Sequence, residues 1–160
     1  MKFQFLLFIL VLLLLSNCTD KVLEDELIIG CPTEETVKSK ESALALLIGK
    51  WEWIKTFYVS ELSNDYVETS YSSGKQILFE FKPDRLVITE NSVATEETYE
   101  ILSSEMNTFT AGEELKIKFF KATGELRDSS ILRISISGQC LTLVNSYNNT
   151  GADLNFQKIN

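Results

Sequence analysis

The chain has 160 residues, 44% of them apolar and 11% aromatic, which is enough to build the core of one domain and excludes wholesale disorder. Its 23 Asp and Glu against 15 Lys and Arg leave a formal charge of -8, a surface that repels phosphate backbones and excludes nucleic acid as a partner. Histidine is absent, so the commonest general base and the commonest transition-metal ligand are both missing, and neither a metal site nor a cofactor is expected.

Lys2 supplies one positive charge, and Phe3 to Leu15 then run thirteen residues with only Gln4 polar. A bilayer-spanning helix needs roughly 20 apolar residues, so this run is too short to span. A positive start followed by ~7–15 apolar residues is instead the secretory signal pattern. The run ends in Leu15-Ser16-Asn17-Cys18, which resembles the lipobox of bacterial lipoproteins: a Leu three places before a lipidated Cys. Asn17 stands where Gly, Ala or Ser is usual, a looser form that Bacteroidetes-type lipoproteins carry. The resemblance implies that residues 1–17 are cleaved and that Cys18 becomes an acylated N-terminus holding the protein on the membrane. Several acyl chains anchor firmly, since each buried CH₂ adds ~0.8 kcal/mol. The alternative is an ordinary cleaved signal with Cys18 nearby by chance. Thr19 follows the Cys where an Asp would retain the protein at the inner membrane, so the family pattern implies the outer membrane of a bacterial envelope. Residues 18–40 then read as a lipidated, acidic tether. Its "DKVLEDE" suits either a solvated linker or display at the cell surface.

Lipidation of Cys18 leaves Cys31 and Cys140 of the three cysteines. Outside the inner membrane the surroundings are oxidising, so these two read as a disulfide pair, or else as two separate reduced thiols. In the chain-entropy model such a bridge would add on the order of 4–5 kcal/mol. Cysteine spacings suited to a metal are absent.

The domain is read over 41–160. In "SKESALALLIGKW", Ser39 or Ser42 caps a short helix, Leu44, Leu47 and Ile48 form its apolar stripe, and Gly49 ends it. Strand patterns follow at 50–59, 75–82, 85–90, 96–102, 115–120, 130–137, 140–147 and 152–159. Lys82-Pro83-Asp84-Arg85 makes a turn, and Ser137-Gly138-Gln139 closes a hairpin. The stretches 60–74 and 103–114 are the longest loops. With no helices between them the strands must be antiparallel, and eight is the count at which an up-and-down barrel closes. The fold class is therefore all-β: an eight-stranded antiparallel barrel preceded by a short helix.

Gly49-Lys50-Trp51 after a short helix is similar to the Gly-x-Trp signature of lipocalins. Phe79-Glu80-Phe81-Lys82-Pro83-Asp84, then Tyr99-Glu100-Ile101, then the hairpin from Ile134 to Leu143 follow in order. Over about 45–160 this set resembles the lipocalin-like domains of Bacteroidetes lipoproteins. The resemblance implies that Trp51 plugs the closed end of the barrel beside Gly49, and that Lys158 on the last strand lies across its ring.

No nucleophile elbow, phosphate-cradling Gly loop or His-containing triad is present, and an enzyme is not expected. Glu96-Glu97 and Glu113-Glu114 are neighbours that point to opposite faces of a strand, so neither couple converges. Phe57, Phe79, Phe81, Phe119 and Phe156 read as inward-facing, either as plain core or as the lining for a small apolar ligand. Two functions follow from these readings: a membrane-anchored barrel that binds a small apolar ligand, or a structural or protein-interaction module of the outer envelope. The anchor itself is tested by Cys18→Ser. This variant should lose fatty-acid labelling and leave the membrane fraction; equal labelling and equal sedimentation with membranes would refute lipidation at Cys18.

Overall fold

The structure is a computed structural model in which residues 35–59, 66–103, 106–107, 112–145 and 151–159 are described. The apolar run, Cys18, most of the tether and Cys31 lie outside the described residues. Ser39, in extended conformation, accepts a hydrogen bond on Oγ from the Ser42 amide at 3.1 Å and starts helix α1, Lys40–Leu47. Ala43 and Leu47 point down onto the core and are fully buried, with Leu44 and Leu46 packed at their flanks. The stripe is thus turned from the one expected: Ile48 leaves the helix as its C-cap and is exposed. Gly49 does not end the helix as expected but opens the first strand at φ 126.

The strands are β1 (Gly49–Tyr58), β2 (Tyr66–Thr69), β3 (Ile77–Phe81), β4 (Leu86–Glu90), β5 (Val93–Leu102), β6 (Met106–Asn107), β7 (Gly112–Glu113), β8 (Leu115–Lys121), β9 (Leu126–Ile134), β10 (Cys140–Val144) and β11 (Ala152–Ile159). A one-turn helix α2, Ser70–Ser73, sits between β2 and β3. Neighbours run β1-β3-β4-β5-β8-β9-β10-β11, and β11 pairs back onto β1, all antiparallel. This is a closed eight-stranded barrel with a short helix before it. β2 and β3 share one lane beside β1: Phe81 to Leu78 pair with Gly49 to Glu52, and Thr69 to Tyr66 pair with Lys55 to Tyr58. β6 and β7 form a separate two-residue ladder in the stretch expected to be a loop.

Partners across a ladder share a face, so the register tells inside from outside. Trp51, Phe79, Leu86, Ile101, Ile117, Leu132, Leu141 and Phe156 are buried inside the barrel. Strict alternation along β1 would send Phe57 inward with Trp51 and Trp53. A bulge between Trp53 and Lys55 adds a residue and reverses the parity. Thr56 is therefore buried, and Phe57 lies on the outer face, 36% exposed, contrary to its reading as an inward residue.

At the closed end, residues 35–37 pair with the last turn of β9. Val37 N–H donates to Ile134 O and Ile136 N–H donates to Glu35 O, each at 3.0 Å. Ser135 N–H instead donates to Cys140 O, on the other side of the strand. No disulfide is seen among the described residues: Cys140 is a free, half-buried thiol, and Cys31, its expected partner, lies outside them. The end of β9 stands between the 35–37 stretch and the strand that carries Cys140.

The bulge makes a testable contrast. Phe156→Ala should cost about 3–5 kcal/mol in urea unfolding, as for a filled core site. Phe57→Ala should stay within about 0.5 kcal/mol, as for a surface site. Equal costs would place Phe57 in the core.

Candidate functional site

Three regions of the barrel bear on function: the closed end, the interior and the mouth. At the closed end the last carbonyls of α1 need partners, and two barrel side chains supply them. Trp51 Nε1–H donates to Leu47 O at 2.7 Å, and Lys158 Nζ donates to Leu46 O at 2.6 Å. The Lys158 ammonium also lies 5.1 Å from the centroid of the Trp51 ring, and burial lowers its pKa. A Cβ on residue 49 would come 3.1 Å from Lys158 Cε at a φ that L-residues rarely adopt. The structure therefore brings Gly49, Trp51 and Lys158 together as a clamp between helix and barrel. Nothing in the clamp is free for chemistry.

Above Trp51 the interior is filled by aromatic rings. Phe79 stands 4.6 Å from Phe156 and 6.1 Å from Phe81, and Phe81 packs edge-on at 5.3 Å against Tyr99. Phe79, Phe81, Phe119 and Phe156 are 0–6% exposed, so each one's surface is taken up by its neighbours. Trp53 Nε1–H finds a buried acceptor in Thr56 Oγ1 at 2.9 Å, a bond that the bulge makes possible. The Tyr99 hydroxyl donates to Lys82 O at 2.7 Å, and desolvation raises its pKa.

Toward the mouth the lining turns polar. A second bulge, in the β8–β9 ladder, adds Arg127, whose guanidinium lies 5.2 Å over the Phe119 ring and pairs with Glu97 at 2.7 Å. On the inner side of the lip, Tyr58 and Tyr66 stack at 4.4 Å with 9° between their planes. The Tyr58 hydroxyl donates to Glu68 Oε2 at 2.8 Å, and Lys75 Nζ pairs with Glu68 Oε1 at 3.0 Å. Burial first, then the bond to and charge of Glu68, push the Tyr58 pKa up to about 12. Hydrogen bonds from Lys75 and Tyr58 lower that of Glu68, and Glu68 in turn raises that of Lys75.

The outer side of the same lip is apolar. Phe57 and Val67 are cross-strand partners facing solvent, Tyr71 on α2 is 81% exposed, and Tyr66, though stacked on the inner side, is also exposed at the rim. Sequence reasoning missed the lip because 60–74 is rich in Ser, Tyr and Asn and lacks a strand period. The usable signal was Thr69-x-x-Ser72 before Gly74: Thr69 Oγ1 accepts from Ser72 N and Gly74 adopts the left-handed cap.

Among the described residues, cavities open on the outer wall. One of about 410 Å³ is lined by Lys40, Leu102, Ser103, Lys116 and Lys118. Another, about 290 Å³, lies over β1, β3 and β4 at Glu52, Leu78 and Thr89. Among the described residues no group of three or more His, Cys, Asp or Glu is arranged to hold a metal ion.

The Tyr58 shift has a sign that can be checked. Its folded pKa lies above the ordinary 10.0, so the linked stability is complete below pH 10 and is lost as pH rises toward about 12. Tyr58→Phe should therefore lose less thermal stability than the parent between pH 9.5 and 11.5, whatever their difference at pH 7. Parallel pH profiles would overturn the assignment.

A scan of protein-family models and searches of curated proteins and of solved structures return no match for this chain.

Proposed function

We propose that this chain is a non-enzymatic, lipid-anchored protein of the bacterial envelope whose lipocalin-like barrel is a filled, rigid module that meets a partner protein through its lip. The eight-stranded barrel fits a lipocalin-like fold, but a fold alone carries no function. What carries this reading is how the aromatics divide. The interior phenylalanines cover one another, whereas Phe57, Tyr66, Val67 and Tyr71 stand uncovered around the lip. Exposed apolar patches of this kind mark interaction sites, and tyrosine serves well there because one end is apolar and the other polar. The anchor reading rests on the Leu15–Cys18 pattern and puts the barrel at the outer membrane, in reach of other envelope proteins.

A second reading keeps a small apolar ligand but seats it at the mouth and not deep inside. The partly buried Ile77, Ile88 and Leu154, packed against the core, favour it. One experiment separates the two. The protein is isolated from its host after photo-crosslinking from position 71 and examined by native mass spectrometry. A discrete protein adduct, lost in Phe57→Ser/Val67→Ser while the melting temperature holds, supports the interaction module. A small-molecule adduct with no crosslinked protein supports the mouth site. Neither adduct would overturn both.

A further inference from the structure

We propose that the cavity on the outer wall, where α1 meets β5 and β8, is an anion seat that takes a phosphate group, free or as a lipid headgroup. It stands apart from the lip and does not depend on the reading of the lip. Leu115, Ile117 and Phe119 face the core, so Lys116 and Lys118 both face outward, two residues apart on β8. Lys40, the first residue of α1, brings a third ammonium to the same cavity. Leu102 and Ser103 also line it at the end of β5, with Leu102 paired directly to Lys116.

Three lysines around one concavity are unexpected in a chain of charge -8. Carboxylates are plentiful, and six of the other basic groups use them: Lys75, Lys82, Arg85, Lys121, Arg127 and Arg133 each have an acidic partner. Among the described residues Lys40, Lys116 and Lys118 form no ion pair, although Glu100 lies opposite Lys118 across the ladder. Glu114, beside the cavity in sequence, is turned to Arg133 instead. Like charges gathered at one cavity repel, and a bound anion relieves that repulsion.

The ligand chemistry follows from the groups present. Three lysines and a serine line the cavity, donors suited to a compact, multiply charged oxyanion, and lysine binds phosphate as a point charge. A volume of about 410 Å³ leaves room beyond the phosphate for its ester substituent, with Leu102 as the apolar wall. An extended acidic peptide would need a groove, and this is a pocket.

The test titrates the full chain, held in neutral detergent micelles, by calorimetry. The probes are inorganic phosphate, dihexanoyl phosphatidic acid and, as control, dihexanoyl phosphatidylcholine, up to about 10 mM, where even a millimolar site fills. Binding of inorganic phosphate identifies a seat for free phosphate; binding of phosphatidic acid alone identifies a headgroup seat. In either case Lys116→Gln/Lys118→Gln should weaken binding at least about tenfold, as expected on loss of charge-assisted bonds. Lys116→Arg/Lys118→Arg should retain it, and so should Lys50→Gln/Lys55→Gln on β1. No heat from either phosphate probe, binding of phosphatidylcholine as strong as that of phosphatidic acid, or equal binding by the Gln variant would each overturn the proposal. The Arg variant, which keeps both charges, separates loss of the site from loss of fold.

Discussion

The pairing of β11 with β1 is the constraint on which the barrel rests. β1 is a long strand with neighbours on both edges: β11 on one side, and β3 followed by β2 on the other. Without β11 the sheet would present two open edges, each a row of unpaired amides and carbonyls. The ladder also decides what meets inside. Its register sets Trp51 opposite Lys158 and Trp53 opposite Phe156, so closing the barrel assembles the clamp under α1 and the first layer of core together. Gly138 adds a smaller demand at the same end. It turns the β9–β10 hairpin at φ 69, and a Cβ there would come 2.9 Å from Leu46 Cδ2. Helix, hairpin and closing strand therefore fit as one unit.

The bulge in β1 explains why one strand can serve two ends with different needs. Before it, alternate residues are tryptophans that fill the barrel. After it, Thr56 and Tyr58 take the inner face, and the aromatic Phe57 is sent outside. The extra residue in β9 acts likewise, adding Arg127 above Phe119 where the core gives way to ion pairs. Both bulges lie on the mouth side of the core layer. The closed two-thirds of the barrel thus obeys simple alternation, and the departures gather where the chain meets solvent, as bulges at barrel rims do.

This pattern also accounts for what could be read beforehand. Leu115, Ile117 and Phe119 alternate with lysines in a regular ladder, and Phe79 and Phe81 flank a predictable turn, so their burial was legible from spacing alone. Phe57 was not, because a bulge leaves no mark in hydrophobic period. The lip was hidden for a different reason. β2 owes its place to the second half of β1, a long-range partner, and its own residues carry no strand signal. The lysine cavity was invisible because two of its lysines looked like ordinary solvent positions of β8, and the third sits on an element 76 residues earlier in the chain (116 minus 40).

A filled interior changes where recognition can happen. In a hollow barrel the ligand competes with water for the lumen, and the wall is scaffold. Here ring packs on ring from Phe156 through Phe79 and Phe81 to Tyr99, and opening a lumen would require displacing several buried aromatics, each worth about 3–5 kcal/mol on truncation. That cost is comparable to the whole stability of a small domain, so the interior is committed to folding. Recognition is left to the surfaces the core holds rigid, and these differ in chemistry. The lip offers uncharged aromatic area, and the wall beside α1 offers unpaired positive charge. An acidic chain that gathers Lys40, Lys116 and Lys118 at one cavity offers an anion a local attraction that its net charge of -8 does not.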